Sequence, residues 1–385
     1  MDVLLKLTDN HSIHVGKIPL ETVDDVSLNL LGETEISDFF KIIDKPDIRA
    51  FPKRYQKMCE TLEIQGKDAL QSVPQRIFSN HLEEEIQKLQ DALCATENQE
   101  YLATYLTIKR FLLGLNRAAV DPFLLRAMID EAQHETTKRS LVSLVPEKDG
   151  RSKKSTYSMT NSATGRLTVT SGPQILTIPA TARKCLKSRF PKGKILQIDI
   201  VSAEPKFALH LKGIKPPRDV YGHISKHILG DQVTRDQAKL ITLCALYGQS
   251  AKKLTEQLPS TVGARGVIQK TKEYFDRDFL LSRLKNERKA GKIRNAIGRP
   301  LPVPDGNPHL LISYYLQSSV AEGSLLMFSN FIQNTSLVCL PLFVIHDALI
   351  VDCDEDSANQ LLEDTQFNLM LGDWKFDAEV KVVGA

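Results

Sequence analysis

The chain has 385 residues, 42% apolar and 25% charged, an ordinary balance for a globular protein with room for two or three domains. It has no run of about 18 apolar residues, and its start lacks the basic end and apolar core of a signal peptide, so we expect neither a membrane span nor secretion. Six scattered cysteines without a CxxC pair argue against a zinc site and for a reducing, cytoplasmic compartment.

Charge is strongly segregated along the chain. Residues 1–140 hold 17 Lys and Arg against 23 Asp and Glu, residues 141–299 hold 31 against 12, and residues 300–385 hold 2 against 12. The central block therefore carries +19 between two acidic ends. Such a block is typical of a region that handles phosphates, although a solvated basic surface without a partner gives the same pattern.

The first 142 residues predict an accessory region followed by helices. Residues 1–75 begin with a short apolar alternation and contain no recognisable chemistry, so we interpret them as a small accessory region. From residue 76 onward the apolar residues recur at helical spacing, as at Leu82, Ile86, Leu89 and Leu93, and the helical pattern continues to residue 142.

Residues 143–194 are basic and loop-like, and the segment after them predicts a buried strand. KILQIDI, residues 194–200, is apolar and ends near Asp199. A carboxylate at the end of a buried strand is costly unless it is paired or binds a metal. The alternative is that Asp199 caps the helix predicted by SAEPKFALHL.

The stretch RDQAKLITLCALYG, residues 235–248, predicts a helix with an unusual face. Arg235, Lys239, Leu243 and Tyr247 recur every fourth position and so lie along one side, with Gly248 behind the aromatic residue. Two cations one turn apart suit a polyphosphate, and an aromatic ring further along suits a base. Further basic helices follow to residue 299.

The C-terminal part predicts a helix, a hairpin, a helix and a strand. Residues 311–328 form an apolar helical pattern, and residues 336–353 form two strand-like runs around His346 and Asp347, which indicates a tight hairpin. We expect a helix over 357–371 and a final strand over 376–384.

The two carboxylates suggest a reaction if their strands are neighbours. Asp199 and Asp347 would then repel each other, which divalent cations relieve, and Mg²⁺ uses few carboxylates together with substrate phosphates. Two such ions can activate an attacking hydroxyl and stabilise a leaving phosphate. Beside a basic helix, this arrangement indicates nucleotidyl transfer.

Several motifs over residues 140–385 resemble family A DNA polymerases, the group of bacterial DNA polymerase I. In the family's order, the similar segments are TGRL (164–167), DIVSAEPK (199–206), RDQAKLITLCALYG (235–248), GRPLPVP (298–304), LQSS (316–319) and IHDALIV (345–351). The resemblance implies an α+β right-hand fold with an antiparallel-sheet palm and helical fingers and thumb. Its parts would be the thumb at 76–142, the palm at 143–215 and 300–385, and the fingers at 216–299.

The resemblance also implies roles for individual residues. Asp199 and Asp347, with the main-chain carbonyl of Ile200, would hold two Mg²⁺ ions, or Mn²⁺, and Lys239 would take part in catalysis. The nucleotide-binding set would be Arg235, Lys239, Leu243, Tyr247, Glu204 and Gly248, with Glu204 and Tyr247 crowding a 2′-hydroxyl. The DNA-binding set would be Arg166, Gln317, His346 and Arg299.

Four positions depart from the family pattern and indicate a divergent branch. Leu243 stands in place of an aromatic residue, Ala348 in place of an acid, Ser313 in place of an asparagine and Ile200 in place of an aromatic residue. We also expect no proofreading, because the residues before the predicted thumb contain no acidic exonuclease motif.

Three functions remain open on these residues. The first is a DNA polymerase that uses primer–template DNA and dNTPs, bacterial or encoded by a phage or plasmid, with a helicase, primase or separate exonuclease as possible partners. The second is a single-subunit RNA polymerase, which shares the Arg, Lys and Tyr-Gly spacing, although Glu204 and TGRL favour deoxynucleotides. The third is a catalytically silent DNA-binding subunit, an idea motivated by Ala348.

Overall fold

The computed structural model describes residues 2–8, 11–17, 42–43, 54, 57–58, 61–62, 74–248, 251–291, 293–302 and 308–383. The chain divides into two compact units. The first is Met1–Leu106 with Gly298–Pro300, and the second is Thr107–Ile297 with Leu301–Ala385. No helix in the described ranges has both the length and the apolar character needed to cross a membrane.

The first unit contains a hairpin and long helices. Strands β1 (Asp2–Thr8) and β2 (His11–Lys17) pair antiparallel. Helix α1 spans Gln75–Cys94, and α2 spans Thr96–Leu113, so its last turns enter the second unit. Both helices were predicted from the apolar spacing. The accessory region predicted for residues 1–75 lies largely outside the described residues.

The second unit combines a central sheet with helices. Its helices are α3 (Pro122–Glu131), α4 (Glu135–Val142), α5 (Ala203–Leu211), α6 (Val220–His223), α7 (Arg235–Tyr247), α8 (Ala251–Thr255), α9 (Ala264–Tyr274), α10 (Arg277–Lys289), α11 (Pro308–Asn334) and α12 (Glu355–Glu363). Its strands are β3 (Ala119–Val120), β4 (Thr156–Ser158), β5 (Thr168–Ser171), β6 (Leu186–Lys187), β7 (Lys194–Ile200), β8 (Cys339–Ile345), β9 (Ala348–Cys353), β10 (Asn368–Leu371) and β11 (Trp374–Val382). Short 3₁₀ segments cover Ile175–Thr177 and Ala180–Cys185, and a π-helical turn covers Ile224–Ile228.

The central sheet has five strands in the order β10–β11–β7–β9–β8, and every neighbouring pair is antiparallel. Strand β7 lies in the middle, and its apolar side chains, such as Leu196 and Ile198, are fully buried. The register places Asp199 directly opposite Ala348 on β9 and opposite Glu379 on β11. The mixed α+β class with an antiparallel sheet is therefore confirmed.

The β8–β9 hairpin also follows the prediction. The two strands are joined by His346 and Asp347 alone, and His346 has a positive φ of 54°. A two-residue connection of this kind matches the twist of antiparallel strands. Both arms are mostly buried and mostly apolar, so the polar pair is held at one end of the sheet.

The helix predicted over residues 357–371 is wrong in its second half. Helix α12 ends at Glu363, and Asn368–Leu371 forms the edge strand β10. Leu369 is buried opposite Phe376 on β11, whereas Met370 is exposed, so burial alternates with a period of two. Pairing with β11 therefore decides the conformation of a segment whose apolar residues also suit a helix.

Candidate active site

The two predicted carboxylates lie side by side at one end of the central sheet. Asp199 is the penultimate residue of β7, and Asp347 is in the turn that leads into the neighbouring strand β9. The main-chain N–H of Ile200 donates to the carbonyl of Asp347 at 3.1 Å. The condition on which the two carboxylates would meet, that their strands are neighbours, is therefore met.

Asp199 is not a helix cap. The N-cap of α5 is Ser202, in the left-handed conformation and without a side-chain cap bond. The Asp199 carboxylate instead accepts a hydrogen bond from the Gln197 side chain at 3.3 Å. Helix capping, the alternative to metal binding for Asp199, is therefore absent.

The electrostatics of the pair suit a divalent cation. Burial, and after it the negative charge of Asp347, raises the pKa of Asp199 to about 6, against an opposing hydrogen bond from Gln197. A shared positive ion would stabilise two carboxylates whose mutual repulsion opposes their being ionised together. No group of three or more metal-binding side chains occurs among the described residues. This donor set fits Mg²⁺, which takes one or two carboxylates and completes its shell with water and phosphate oxygens.

Helix α7 is defined by strong signals at both ends. Thr234 and Gln237 form a capping box, with Gln237 N to Thr234 Oγ1 at 3.2 Å and Thr234 N to Gln237 Oε1 at 2.9 Å. Gly248 ends the helix with φ 69°, a conformation that favours glycine. Arg235 and Lys239 are exposed, while the opposite face is buried.

One open cleft of about 550 Å³ joins the carboxylates to this helix. It is lined by Asp199, Ile200, Val201, Ser202, Ala203, Glu204, Pro205, Tyr221, Arg235, Lys239, Leu243, Asp347 and Glu379. Both predicted metal carboxylates and four of the six predicted nucleotide-binding residues therefore meet in one cavity. The cleft combines negative charge on the sheet side with positive charge on the helix side.

Arg235 already has a partner in this structure. Its Nε lies 3.0 Å from both carboxylate oxygens of Asp219, and its guanidinium lies 5.7 Å from the ring centre of Tyr221. Asp219 also caps α6 by accepting from Gly222 N at 3.1 Å. A phosphate that approaches Arg235 therefore competes with a carboxylate held in place by a helix cap.

Glu204 links the cleft to a neighbouring pocket. Its carboxylate accepts from Arg166 Nη2 at 3.0 Å and from the Tyr247 hydroxyl. Burial, and then the charge of Glu204, raises the pKa of Tyr247 far above its ordinary value, so this hydroxyl stays protonated and donates. Of the last two predicted nucleotide-binding residues, Tyr247 is hydrogen-bonded to Glu204, and Gly248 ends helix α7.

Three of the four predicted DNA-binding residues also converge. Arg166, Gln317 and His346 line a small pocket of about 60 Å³ that shares Glu204 and Asp347 with the cleft. Arg299 differs, since it is 1% exposed and donates to the Tyr101 hydroxyl at 3.2 Å. A buried guanidinium offers no surface to a nucleic-acid backbone, so its position does not support the predicted contact.

The sequence reasoning missed four residues of this site. Tyr221 and Glu379 line the cleft, Asp219 holds Arg235, and Gln197 binds Asp199. Glu379 could have been found from the alternation of the final strand, and Asp219 from its place before a short helix. Tyr221 carries no local signal, because only the packing of α6 near α7 brings it to the cleft.

Sequence comparisons find no match, whereas a structural comparison finds a similar fold. No family model and no curated protein matches the chain. The fold is similar to the POL domain of Pol1 from M. smegmatis, solved in complex with DNA primer-template and dNTP. The match covers 92% of this chain and 84% of that one, with a TM-score of 0.61 and 17% identity. The chain therefore has the fold of a polymerase domain.

Proposed function

We propose that this protein is a template-directed DNA polymerase that adds dNTPs to a primer 3′-OH by two-metal nucleotidyl transfer and does not proofread. The observation that carries the proposal is the single cleft in which Asp199 and Asp347 face Arg235 and Lys239. A carboxylate pair opposite two cations is the charge pattern that phosphoryl transfer needs. The polymerase-domain fold agrees with it.

The metal side of the reaction belongs to the sheet. Asp199 and Asp347, with the main-chain carbonyl of Ile200, would hold two Mg²⁺ ions, and Mn²⁺ would suit the same oxygen donors. Bound there, the ions would activate the attacking hydroxyl and neutralise charge on the leaving phosphate. Strand pairing sets Asp199 opposite Ala348, the residue that follows Asp347, and supports this arrangement.

The phosphate side belongs to α7. Arg235 and Lys239 lie one turn apart and would bind the triphosphate of the incoming nucleotide, with Lys239 beside the charge that develops on the leaving group. The triphosphate would compete for Arg235 with Asp219, which the Arg235 Nε already contacts. Nucleotide binding would therefore weaken this ion pair.

Base, sugar and duplex contacts would come from the rest of the cleft. Tyr247 would stack near the nascent base pair, Gly248 would leave room for the template, and Leu243 would pack against the sugar. Glu204 would lie under the sugar and exclude a 2′-hydroxyl. Arg166, Gln317 and His346, which share one pocket, would contact the primer–template.

The larger layout follows the same proposal. The palm would comprise residues 143–215 and 300–385, the fingers 216–299 and the thumb 76–142. The +19 charge of residues 141–299 supports a nucleic-acid partner for this part of the chain. We further propose a cytoplasmic setting, with helicase, primase or a separate exonuclease as partners in replication.

Primer extension tests the proposal directly. Wild type with Mg²⁺, four dNTPs and a primed template should extend the primer, and Asp347→Ala should lose on the order of a thousandfold or more in rate, since it removes a metal ligand. Asp373→Asn, at an exposed turn between β10 and β11, is the matched control and should extend normally. No extension by wild type, or normal extension by Asp347→Ala, contradicts the proposal.

Sugar selection separates this proposal from an RNA polymerase. Glu204 is fixed by Arg166 and Tyr247 within the cleft. Glu204→Ala should therefore raise the use of rNTPs relative to dNTPs by about tenfold or more, the range for a site that loses one steric or hydrogen-bonding discriminator. Wild type that prefers rNTPs would favour the RNA polymerase, and unchanged selectivity in the variant would remove this role from Glu204.

One observation favours a silent DNA-binding subunit as the second candidate. Position 348, directly opposite Asp199 on β9, carries a buried alanine and no acid. Single-turnover incorporation measured beside DNA binding distinguishes the two. Tight binding of primed DNA without any incorporation would support the silent subunit.

A further inference from the structure

Two cysteines face each other at the open end of the β8–β9 hairpin, away from the turn that holds Asp347. Cys339 is the first residue of β8 and Cys353 is the last residue of β9, and the strand register pairs them directly. Their sulfur atoms lie 3.1 Å apart. Neither cysteine is among the described residues that line the cleft, so the pair has no part in the proposed reaction.

The main-chain geometry at this cysteine pair suits a disulfide. Asp354 N donates to the Val338 carbonyl at 3.4 Å, just outside the pair. Cys339 N donates to the Leu337 carbonyl at 3.0 Å and not to Cys353. This pattern marks a non-hydrogen-bonded pair, in which the Cα atoms lie about 4.5 Å apart and the side chains are closest. Since disulfides span Cα separations of about 4.4–6.8 Å, the two sulfurs can bond without moving either strand far.

The two thiols differ in exposure, which sets the order in which they can react. Cys339 is partly exposed, whereas Cys353 is fully buried, so a reagent from solvent reaches Cys339 first. Hydrogen bonding to Cys339, and after it burial, raises the pKa of the Cys353 thiol. Once Cys339 has reacted, that hydrogen bond is lost and Cys353 ionises more readily. No group of three or more metal-binding side chains occurs in the part of the chain that the structure describes, so oxidation suits the pair better than metal binding.

We propose that Cys339 and Cys353 form a reversible disulfide that cross-links the hairpin when the protein meets a small-molecule disulfide such as oxidised glutathione. The Cys339 thiolate attacks one sulfur of that oxidant, forms a mixed disulfide and releases one thiolate. The Cys353 thiolate then attacks the Cys339 sulfur and releases the second thiolate. Two electrons pass from the protein to the oxidant, and the two cysteine protons end on the two released thiolates. In a reducing compartment the pair stays as thiols until such an oxidant accumulates.

The cross-link would stabilise a part of the hairpin that has few pairing residues. Strand β8 lies at the edge of the five-stranded sheet, and its ladder with β9 is irregular between Pro341 and Phe343. Before that irregularity only residues 339–341 of β8 pair with β9, and Pro341 has no N–H to donate. A bond between Cys339 and Cys353 closes a loop of 15 residues and so restricts the unfolded chain. Oxidation should therefore raise the melting temperature by about 5–10 °C.

Peptide mapping without reductant tests whether the cross-link forms. After incubation with oxidised glutathione, alkylation and digestion, a peptide pair that joins Cys339 to Cys353 should appear, and it should disappear after treatment with dithiothreitol. Cys339→Ser should lose this pair. Cys94→Ser, which removes an exposed thiol from α1, is the matched control and should keep it. Glutathione that remains on Cys339, or cross-links that involve other cysteines only, would overturn the proposal.

Thermal unfolding tests what the cross-link does. Oxidised wild type should melt about 5–10 °C above reduced wild type, whereas Cys339→Ser should melt at one temperature under both conditions. If Cys339→Ser folds poorly, Cys339→Val, which suits a strand, takes its place. An unchanged melting temperature in protein that carries the cross-link would overturn the stabilising role. Neither measurement uses DNA or nucleotides, so failure of the disulfide and failure of the proposed polymerase function are distinguishable.

Discussion

The sheet edge with Asp199 and Asp347 and the helix face with Arg235 and Lys239 line the same cleft but are built differently. The carboxylates are placed by main-chain pairing, since Asp199 lies between Ala348 and Glu379 in the register of three strands. The Arg235 side chain is 52% exposed and is held by the side chain of Asp219. The sheet therefore fixes its groups in advance, whereas the helix can exchange its partner.

Moving a sheet carboxylate gives the largest expected effect. Asp199→Glu keeps the charge but advances the carboxylate by one methylene, and the strands on both sides leave no room for β7 to adjust. We expect a loss of about a hundredfold in the rate of extension, the size of a misplacement near 1 Å. Arg235→Lys, which also keeps its charge on an exposed helix, is the comparison and should lose less. Equal losses would show that both sides of the cleft are equally rigid.

Releasing the helix cation gives a smaller effect of opposite sign. Asp219→Asn removes the charge that holds Arg235 but keeps an oxygen to cap α6. Because Arg235 would no longer exchange partners, the Kd for a dNTP should fall by up to about fivefold, the range for an exposed ion pair. Asp219→Ala, which also loses the cap, should show the same gain with lower stability. Weaker nucleotide binding by Asp219→Asn would instead mean that Asp219 positions Arg235.

The smallest effect concerns stability without metal. The pKa of Asp199 is about 6, above its ordinary value of 3.8. Its contribution to folding stability is therefore complete below about pH 4, where the carboxyl group is protonated, and is lost as the pH rises through 6. The difference between these two pKa values corresponds to about 3 kcal/mol, which we reduce to about 1 kcal/mol because solvent screens this half-buried carboxylate. Asp199→Asn should therefore melt near wild type at pH 4 but about 2–4 °C higher at pH 8. Asp373→Asn should follow wild type at both pH values. A variant that melts below wild type at pH 8 contradicts the repulsion.

Local patterns predicted most elements near the site. The strand over residues 194–200, the hairpin around His346 and Asp347, and the helix over residues 235–247 all occur as expected. In each, side-chain periodicity and terminal residues agree with the final packing. The prediction for the segment after Glu363 was wrong because its apolar residues suit a helix and a strand equally. Pairing with β11 decided between the two.

The sequence by itself determined which chemical groups are available. These groups are two carboxylates, two cations one helical turn apart and the ordered motifs around them. Those follow from residue identity and short-range spacing. Only the tertiary structure decided that Asp199 lies beside Asp347 and does not cap a helix, that Arg235 is held by Asp219, and that Arg299 is buried. These contacts join residues distant in the chain, and the register and packing that create them have no local signature.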